Sequence, residues 1–301
     1  VIDGAGDFRA QIFARSSTKS LQALPLLETG AADAYGLSPV DLALACSSHN
    51  AEPVHTRPVQ ELLAKLGLTA ADLGCGAASP GDPETRRSLF AAGLSPSPLH
   101  HNCSGKHAGF LALARHLGVE PSEYLDPESQ SQLLVRSAMA DMCDLEDGQY
   151  GLATDGCSAP TYRLPLFKLA TGIARMADPS DLGAARAAAC RRLTDAVATH
   201  PVLVAGSHKR LCTALAAVTG GRLFPKVGAE AVYVVGERDS DRALALKIDD
   251  GSTVAMDHVV VALLGRLGML THAELDALTT WNDRRLINDA GREVGKVEVL
   301  A

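Results

Sequence analysis

The chain has 301 residues, 47% of them hydrophobic, with 28 Lys and Arg against 35 Asp and Glu and a formal net charge of −7. That composition supports a globular chain with an ample core, and without any Lys and Arg run interleaved with aromatics it argues against a nucleic-acid partner. The longest apolar segments, such as residues 259–264, fall far short of the roughly 20 residues a membrane-crossing helix needs, so no membrane partner is expected.

In chain order, Val1-Ile2-Asp3-Gly4-Ala5-Gly6 reads as the end of a strand and a turn, with residues 7–11 as the returning strand. Apolar spacing of three and four then predicts helices over 16–29, 59–66, 83–92, 104–117 and 127–144. The same spacing continues over 160–176, 184–199 and 207–218. Residues 231–236 and 243–248 read as an antiparallel hairpin, 256–270 as a helix and 293–300 as a final strand. The expected fold is α+β: a single domain over 1–301, with an antiparallel sheet drawn from both termini (about 1–15 and 223–301) packed on a central helical region (about 16–222).

Seven cysteines, Cys46, Cys75, Cys103, Cys143, Cys157, Cys190 and Cys212, are an odd number without paired spacing. Reduced thiols are expected, and with no export signal at the amino terminus they point to a cytoplasmic location.

Ser16-Ser17-Thr18-Lys19 places a hydroxyl and an amine on one face of a helical turn. A serine is a poor nucleophile at neutral pH, but a buried lysine near another cation can stay neutral and take its proton. Ser48-His49-Asn50 follows the mostly apolar run 40–45, and Lys226-Val227-Gly228 precedes the 231–236 strand. A Ser-x-x-Lys, a Ser-x-Asn and a Lys-x-Gly in that order resemble the plan of serine β-lactamases and penicillin-binding proteins. Val227 stands where those enzymes carry a hydroxyl and His49 where an Asp is common, which speaks against a β-lactam substrate.

The densest polar cluster is His100-His101-Asn102-Cys103-Ser104-Gly105-Lys106-His107, at the start of an apolar helix. A phosphate loop is excluded, because no Gly stands five residues before Gly105 and His107 replaces the Ser or Thr after the Lys. Cys103 with His101 or His107 and a distant Cys157 would suit zinc, and the alternative is a helix start with a buried thiol. Asp155, in Thr154-Asp155-Gly156-Cys157, either reads a substrate amino group or closes a turn.

Together, Arg15-Ser16-x-x-Lys19, Cys46-x-Ser48-His49, Asn102-Cys103-Ser104-Gly105-Lys106-His107, Thr154-Asp155-Gly156-Cys157 and Lys226-Val227-Gly228 resemble the asparaginase II family, the class 3 L-asparaginases of the inducible Rhizobium etli type. The resemblance implies hydrolysis of L-asparagine to L-aspartate and ammonia by a homodimer with a serine β-lactamase-like fold. It implies two neighbouring catalytic Ser-Lys pairs, Ser16 with Lys19 and Ser48 with Lys226, and a zinc ion (Zn2+) held by Cys103, Lys106 and Cys157. Substrate contacts are expected from Arg15, His49, Asp155 and Lys106. It further implies a strand before Val1 and a longer connection before Ser16 than residues 11–15 provide. A Ser-Lys hydrolase of β-lactamase type and a zinc-bearing amino-acid-binding protein without turnover are the alternatives.

Overall fold

The computed structural model describes residues 1–282 and 284–299. A short strand β1 (Gln11–Phe13) leads into a 3-10 turn (Arg15–Thr18) and a run of helices: α1 (Lys19–Gln22), α2 (Leu24–Glu28), α3 (Ala31–Ala34), α4 (Pro39–Ala45), α5 (Pro53–Lys65), α6 (Pro83–Ala91), α7 (Ser104–His116) and α8 (Gln130–Met142). Strands β2 (Gly151–Thr154) and β3 (Pro160–Pro165) follow, then α9 (Leu166–Ala177), α10 (Ala184–Thr199), α11 (Pro201–Ala205) and α12 (Leu211–Val218). The chain continues through β4 (Leu223–Gly228), β5 (Val232–Glu237), β6 (Ala243–Lys247), α13 (Thr253–Arg266), α14 (His272–Ala277), α15 (Thr279–Asn282), β7 (Arg284–Ile287) and β8 (Glu293–Val297).

Helices start where side chains satisfy their free N–H groups: Ser38 and Asp41 form a capping box on α4, and Asp82, Ser129 and Ser252 cap α6, α8 and α13. The helix expected over 16–29 is instead three pieces. Pro25 has no N–H to give to the carbonyl four residues back, so the chain restarts as α2. The helix expected over 160–176 is a strand followed by a helix. Thr161 and Tyr162 favour extended backbone, and Pro165 closes β3 as the residue ahead of α9. No strand occupies residues 1–10. The final strand ends at Val297, and Leu300 lies outside the described residues.

The fold is mixed α and β, with small antiparallel sheets among many helices: β1-β3-β2, β4-β5-β6 and the β7-β8 hairpin. The expected sheet from both termini is not formed among the described residues, because β1 pairs with β3, with Ile12 opposite Leu164. The two ends of the chain meet without a ladder. Gly228 ends β4 against the 3-10 turn, where an added Cβ would stand 2.9 Å from the Ala14 carbonyl oxygen.

Strand β5 is buried on both faces. Val232 and Val234 join the large core of the helical region, whereas Tyr233 and Val235 join a second core with Met256, Val260 and Leu264 of α13. On β4 the same alternation puts Phe224 in the large core, and Lys226 shares its face of the pleat. A lysine is thereby carried into the interior, 3% exposed.

Helix α7 is buried from Ser104 to Ala114 and packs tightly on α4: a Cβ at Gly105 would stand 2.3 Å from the Leu44 carbonyl oxygen, and one at Gly109 would stand 3.0 Å from Ala45 Cβ. Because that clash is with backbone, Gly105→Ala is expected to cost about 1–3 kcal/mol, the usual range for overpacking. Urea unfolding measures it, and an unchanged midpoint would overturn this account of the glycine.

Candidate active site

The 3-10 turn begins with Arg15 in the left-handed region, at φ 51°. Its three following hydroxyls divide. Ser17 Oγ donates to the Ala14 carbonyl (2.6 Å) and Thr18 Oγ1 to the Arg15 carbonyl (3.0 Å), so both are spent on the turn. Ser16, half-buried, is the one whose hydroxyl has no partner among the described residues. The Arg15 guanidinium reaches outward, donating from Nε (2.9 Å) and Nη2 (2.8 Å) to Asp155 Oδ1 and from Nη1 (2.7 Å) to Glu230 Oε1.

Lys19 turns inward from the same turn and is fully buried. Its Nζ donates to Ser48 Oγ at 2.9 Å, to Cys103 Sγ at 3.1 Å and to the Ser47 carbonyl. Ser16 is not among its partners. Lys226 reaches the same serine from β4, donating to Ser48 Oγ at 2.8 Å and to the Val227 carbonyl at 2.8 Å. One hydroxyl thus lies between two buried amines. Ser48 sits just after α4, with its N–H on the Val204 carbonyl at 2.8 Å and the next N–H, of His49, on the Asn102 carbonyl at 3.1 Å.

Burial, and secondarily the charge of Lys19, pushes the Lys226 amine well below its ordinary range. Burial also lowers Lys19, opposed by Cys103 and assisted by Lys106. Both amines are therefore pushed toward the neutral form, and each raises the cost of the other's charge.

Beside them stands a sulfur and nitrogen cluster. Cys103 precedes α7 and Cys157 follows β2. The hydrogen bond from Cys157 holds Cys103 well below the usual thiol range, aided by Lys19, and the same bond pushes Cys157 up. Lys106 Nζ donates to Cys157 Sγ at 3.2 Å and lies 5.4 Å over the Phe110 ring. Burial opposes the Lys106 charge, but Cys157, Cys103 and Asp155 outweigh it and raise its pKa. Among the described residues no group of three His, Cys, Asp or Glu side chains could hold a metal. The expected zinc ligands are nevertheless gathered, and they fit the ion as two sulfurs with the Lys106 amine as third donor, provided that amine gives up its proton.

Asp155 accepts the Gly156 N–H on Oδ1 at 2.7 Å as well as both Arg15 bonds, which leaves Oδ2 without a partner among the described residues. His49 is committed within the protein. Its Nδ1 accepts from the Ala51 N–H at 3.1 Å, which leaves Nε2–H to face Ser104 Oγ at 2.9 Å, and Ser104 passes its own proton to the Leu99 carbonyl. Asn50 also turns away from the lysines. Its Oδ1 accepts from Arg210 at 2.9 Å and its Nδ2 donates to the His208 carbonyl at 3.3 Å, so it braces a loop where the Ser-x-Asn plan expects a proton-orienting amide. Arg210 and Glu230 belong to the site's surroundings yet carry no motif signal, since each stands alone among unrelated neighbours in the sequence.

With this geometry in hand, a comparison with protein-family models matches residues 1–299 to the family described as L-asparaginase II. A comparison with curated proteins finds no match.

His49 stacks on His55 with ring centroids 4.9 Å apart, and burial first, then their mutual charge for His49, lowers both pKa values. A base whose folded pKa is lowered binds protons more readily when unfolded. Stability is then full above about pH 6.5 and falls with acid, by about 1.4 kcal/mol per pH unit for each histidine. Urea midpoints at pH 7.5 and 5.0 should therefore separate more in the native chain than in His49→Gln. Equal separations would overturn the neutral buried pair.

Proposed function

Because the chain belongs to the L-asparaginase II family, we propose that it is an L-asparaginase, hydrolysing the side-chain amide of L-asparagine to L-aspartate and ammonia. The observation that carries the mechanism is the buried Ser48 hydroxyl held 2.9 Å from Lys19 Nζ and 2.8 Å from Lys226 Nζ, both lysines being buried too. Ser16 is the serine open to a substrate, and it attacks the amide carbon. Lys226, whose amine burial and the Lys19 charge push toward the neutral form, takes the proton of Ser48. Ser48 takes one from Lys19, and Lys19, not hydrogen-bonded to Ser16 in this structure, takes that of Ser16 once bound substrate draws the two together, so the net transfer is from Ser16 to Lys226. The proton returns along the same chain to the leaving nitrogen, the C–N bond breaks, and ammonia departs. Water then adds to the aspartyl ester, giving its proton to the relay, and the C–O bond to Ser16 breaks as the serine is reprotonated.

Asp155, with Oδ2 free and Arg15 holding Oδ1, reads the substrate's α-amino group, and the Lys106 side supplies positive charge for its carboxylate. Cys103, Cys157 and Lys106 would hold a zinc ion, which supplies a fixed positive charge and Lewis acidity beside the pocket. Lys226-x-Gly228 on a strand pressed against the serine turn supports a serine β-lactamase-like arrangement. Free buried cysteines support a cytoplasmic location, no helix among the described residues is long and apolar enough to cross a membrane, and the family resemblance supports a homodimer.

Ammonia release from L-asparagine should vanish in Ser16→Ala and fall by about a hundredfold or more in Ser48→Ala, in line with the loss of general acid–base help. Turnover kept by Ser16→Ala and abolished in Ser48→Ala would make Ser48 the nucleophile, and no turnover in the folded native chain would overturn the activity. L-Glutamine, longer by one methylene, should be disfavoured by about 10- to 200-fold in kcat/KM. For the metal, elemental analysis should find one zinc per native chain and none in Cys157→Ala. Equal zinc contents would overturn the ligand set.

A further inference from the structure

The loop between α11 and α12 contributes one side chain to the back of the site. Arg210 Nη2 donates to the Ser48 carbonyl at 2.7 Å, and Nη1 donates to Asn50 Oδ1 at 2.9 Å. Asn50 is held from its other side, with Nδ2 on the His208 carbonyl at 3.3 Å and its carbonyl taking the Asp82 N–H at 2.9 Å. Gly206 is pressed so closely on it that an added Cβ would stand 2.4 Å from Asn50 Nδ2. The loop itself is tied down, since Ser207 donates from N (2.9 Å) and Oγ (2.6 Å) to Glu52. Ala51, next in the chain, sits at φ 64°. A non-glycine residue in that region is strained and persists only where its surroundings impose it.

Arg210 differs from Arg15 in one respect. Among the described residues no carboxylate lies within ion-pair distance of it, so a guanidinium charge rests on a neutral carbonyl and a neutral amide.

We propose that Arg210 is the positioning residue of this centre, drawing the Ser48 carbonyl and the Asn50 side chain together behind the serine so that the Ser48 hydroxyl stays between Lys19 and Lys226. Resting on the Ser-Lys reading above, it adds a residue that touches neither substrate nor reacting atoms. A second effect follows from its charge. Lys226 is faced by Lys19 from α1 and by Arg210, both cations, and by the thiols of Cys212 on α12, Cys103 ahead of α7 and Cys46 after α4. Lys19 and Arg210 favour the neutral amine of Lys226, and ionised thiols would oppose them. Arg210 is the member of that set that is fixed by two hydrogen bonds and takes no part in proton transfer.

The experiment compares the native chain with Arg210→Met, which loses fork and charge, and Arg210→Lys, which keeps the charge but cannot span both acceptors. Two readouts are taken: kcat and KM for ammonia release, and the titration of Lys226 by NMR of 13C-lysine-labelled protein, assigned with Lys226→Met. Arg210→Met should lower kcat by about a hundredfold, the scale of a misplacement near 1 Å, with a smaller change in KM. Its Lys226 midpoint should rise by about one unit. Arg210→Lys should lower kcat while leaving that midpoint near native, a split that simple loss of folded protein would not produce. An unchanged Lys226 midpoint in folded Arg210→Met, with kcat falling no further than the folded fraction, would overturn the proposal. A native chain that titrates as described yet releases no ammonia would overturn the asparaginase reading instead, and the Lys226 midpoints would still decide the role of Arg210.

Discussion

Two lysine amines share one serine hydroxyl in an interior where neither ammonium can be solvated. Two charges that close repel strongly at low dielectric, so the pair cannot keep both protons without cost, and the interior itself supplies a base. The two amines differ in their neighbours. Lys19 touches the Cys103 sulfur, whose negative character offsets part of its burial, whereas the partners of Lys226 among the described residues are Ser48 and a main-chain carbonyl. The sulfur cluster and the serine centre are in this way one electrostatic unit, joined through the Lys19 side chain.

Holding such a unit requires main chains to approach more closely than side chains usually allow. Gly105 and Gly109 bring α7 down on α4, and Gly228 brings β4 against the turn that carries Ser16 and Lys19. The glycine and lysine of the Ser-Gly-Lys segment, which look superficially like a phosphate loop, have separate uses: one gives clearance for a helix crossing, the other reaches Cys157. Left-handed non-glycine residues flank the same segments, at Arg15 before the serine turn, Ala51 after Ser48, Ser158 after Cys157, and Glu230 with Ala231 after β4. Three others, Asp144, Lys209 and Asp239, lie elsewhere, but five of the eight among the described residues border the segments that carry the polar centre, where packing imposes them.

Periodicity in the sequence made long, uninterrupted elements legible. Helices α6, α7 and α10 and strands β5 and β6 stand within a residue or two of where the apolar spacing puts them. Short elements bounded by proline were not legible, because a six-residue strand such as β3 continues into α9 without a change of apolar density. That one misreading also hid the partner of β1. For the site, the chemistry of Ser-x-x-Lys was legible but its geometry was not: spacing pairs Lys19 with Ser16, and the fold pairs it with Ser48, 29 positions away. The pairing of Ser48 with Lys226 spans 178 positions and came from family resemblance, since no local pattern can express it. Arg210 left no trace, because its partners are a main-chain carbonyl and an amide, and neither marks a sequence as a carboxylate would.

The chain as a whole is acidic, with a formal net charge of −7, yet its centre is not. Lys19, Lys106 and Lys226 are buried together, Arg15 approaches from the rim and Arg210 from behind Ser48, with Asp155 and the Cys103 sulfur in opposition. A focused positive field inside an acidic surface discriminates by place more than by affinity, because anions are repelled generally and held only where the cations converge. A zwitterionic amino acid suits such a field: its carboxylate can face the cations and its ammonium the free oxygen of Asp155. In the proposed reaction the same field would stabilise the negative oxygen that forms when a serine adds to an amide, so orientation of the substrate and stabilisation of the transition state would draw on one set of charges.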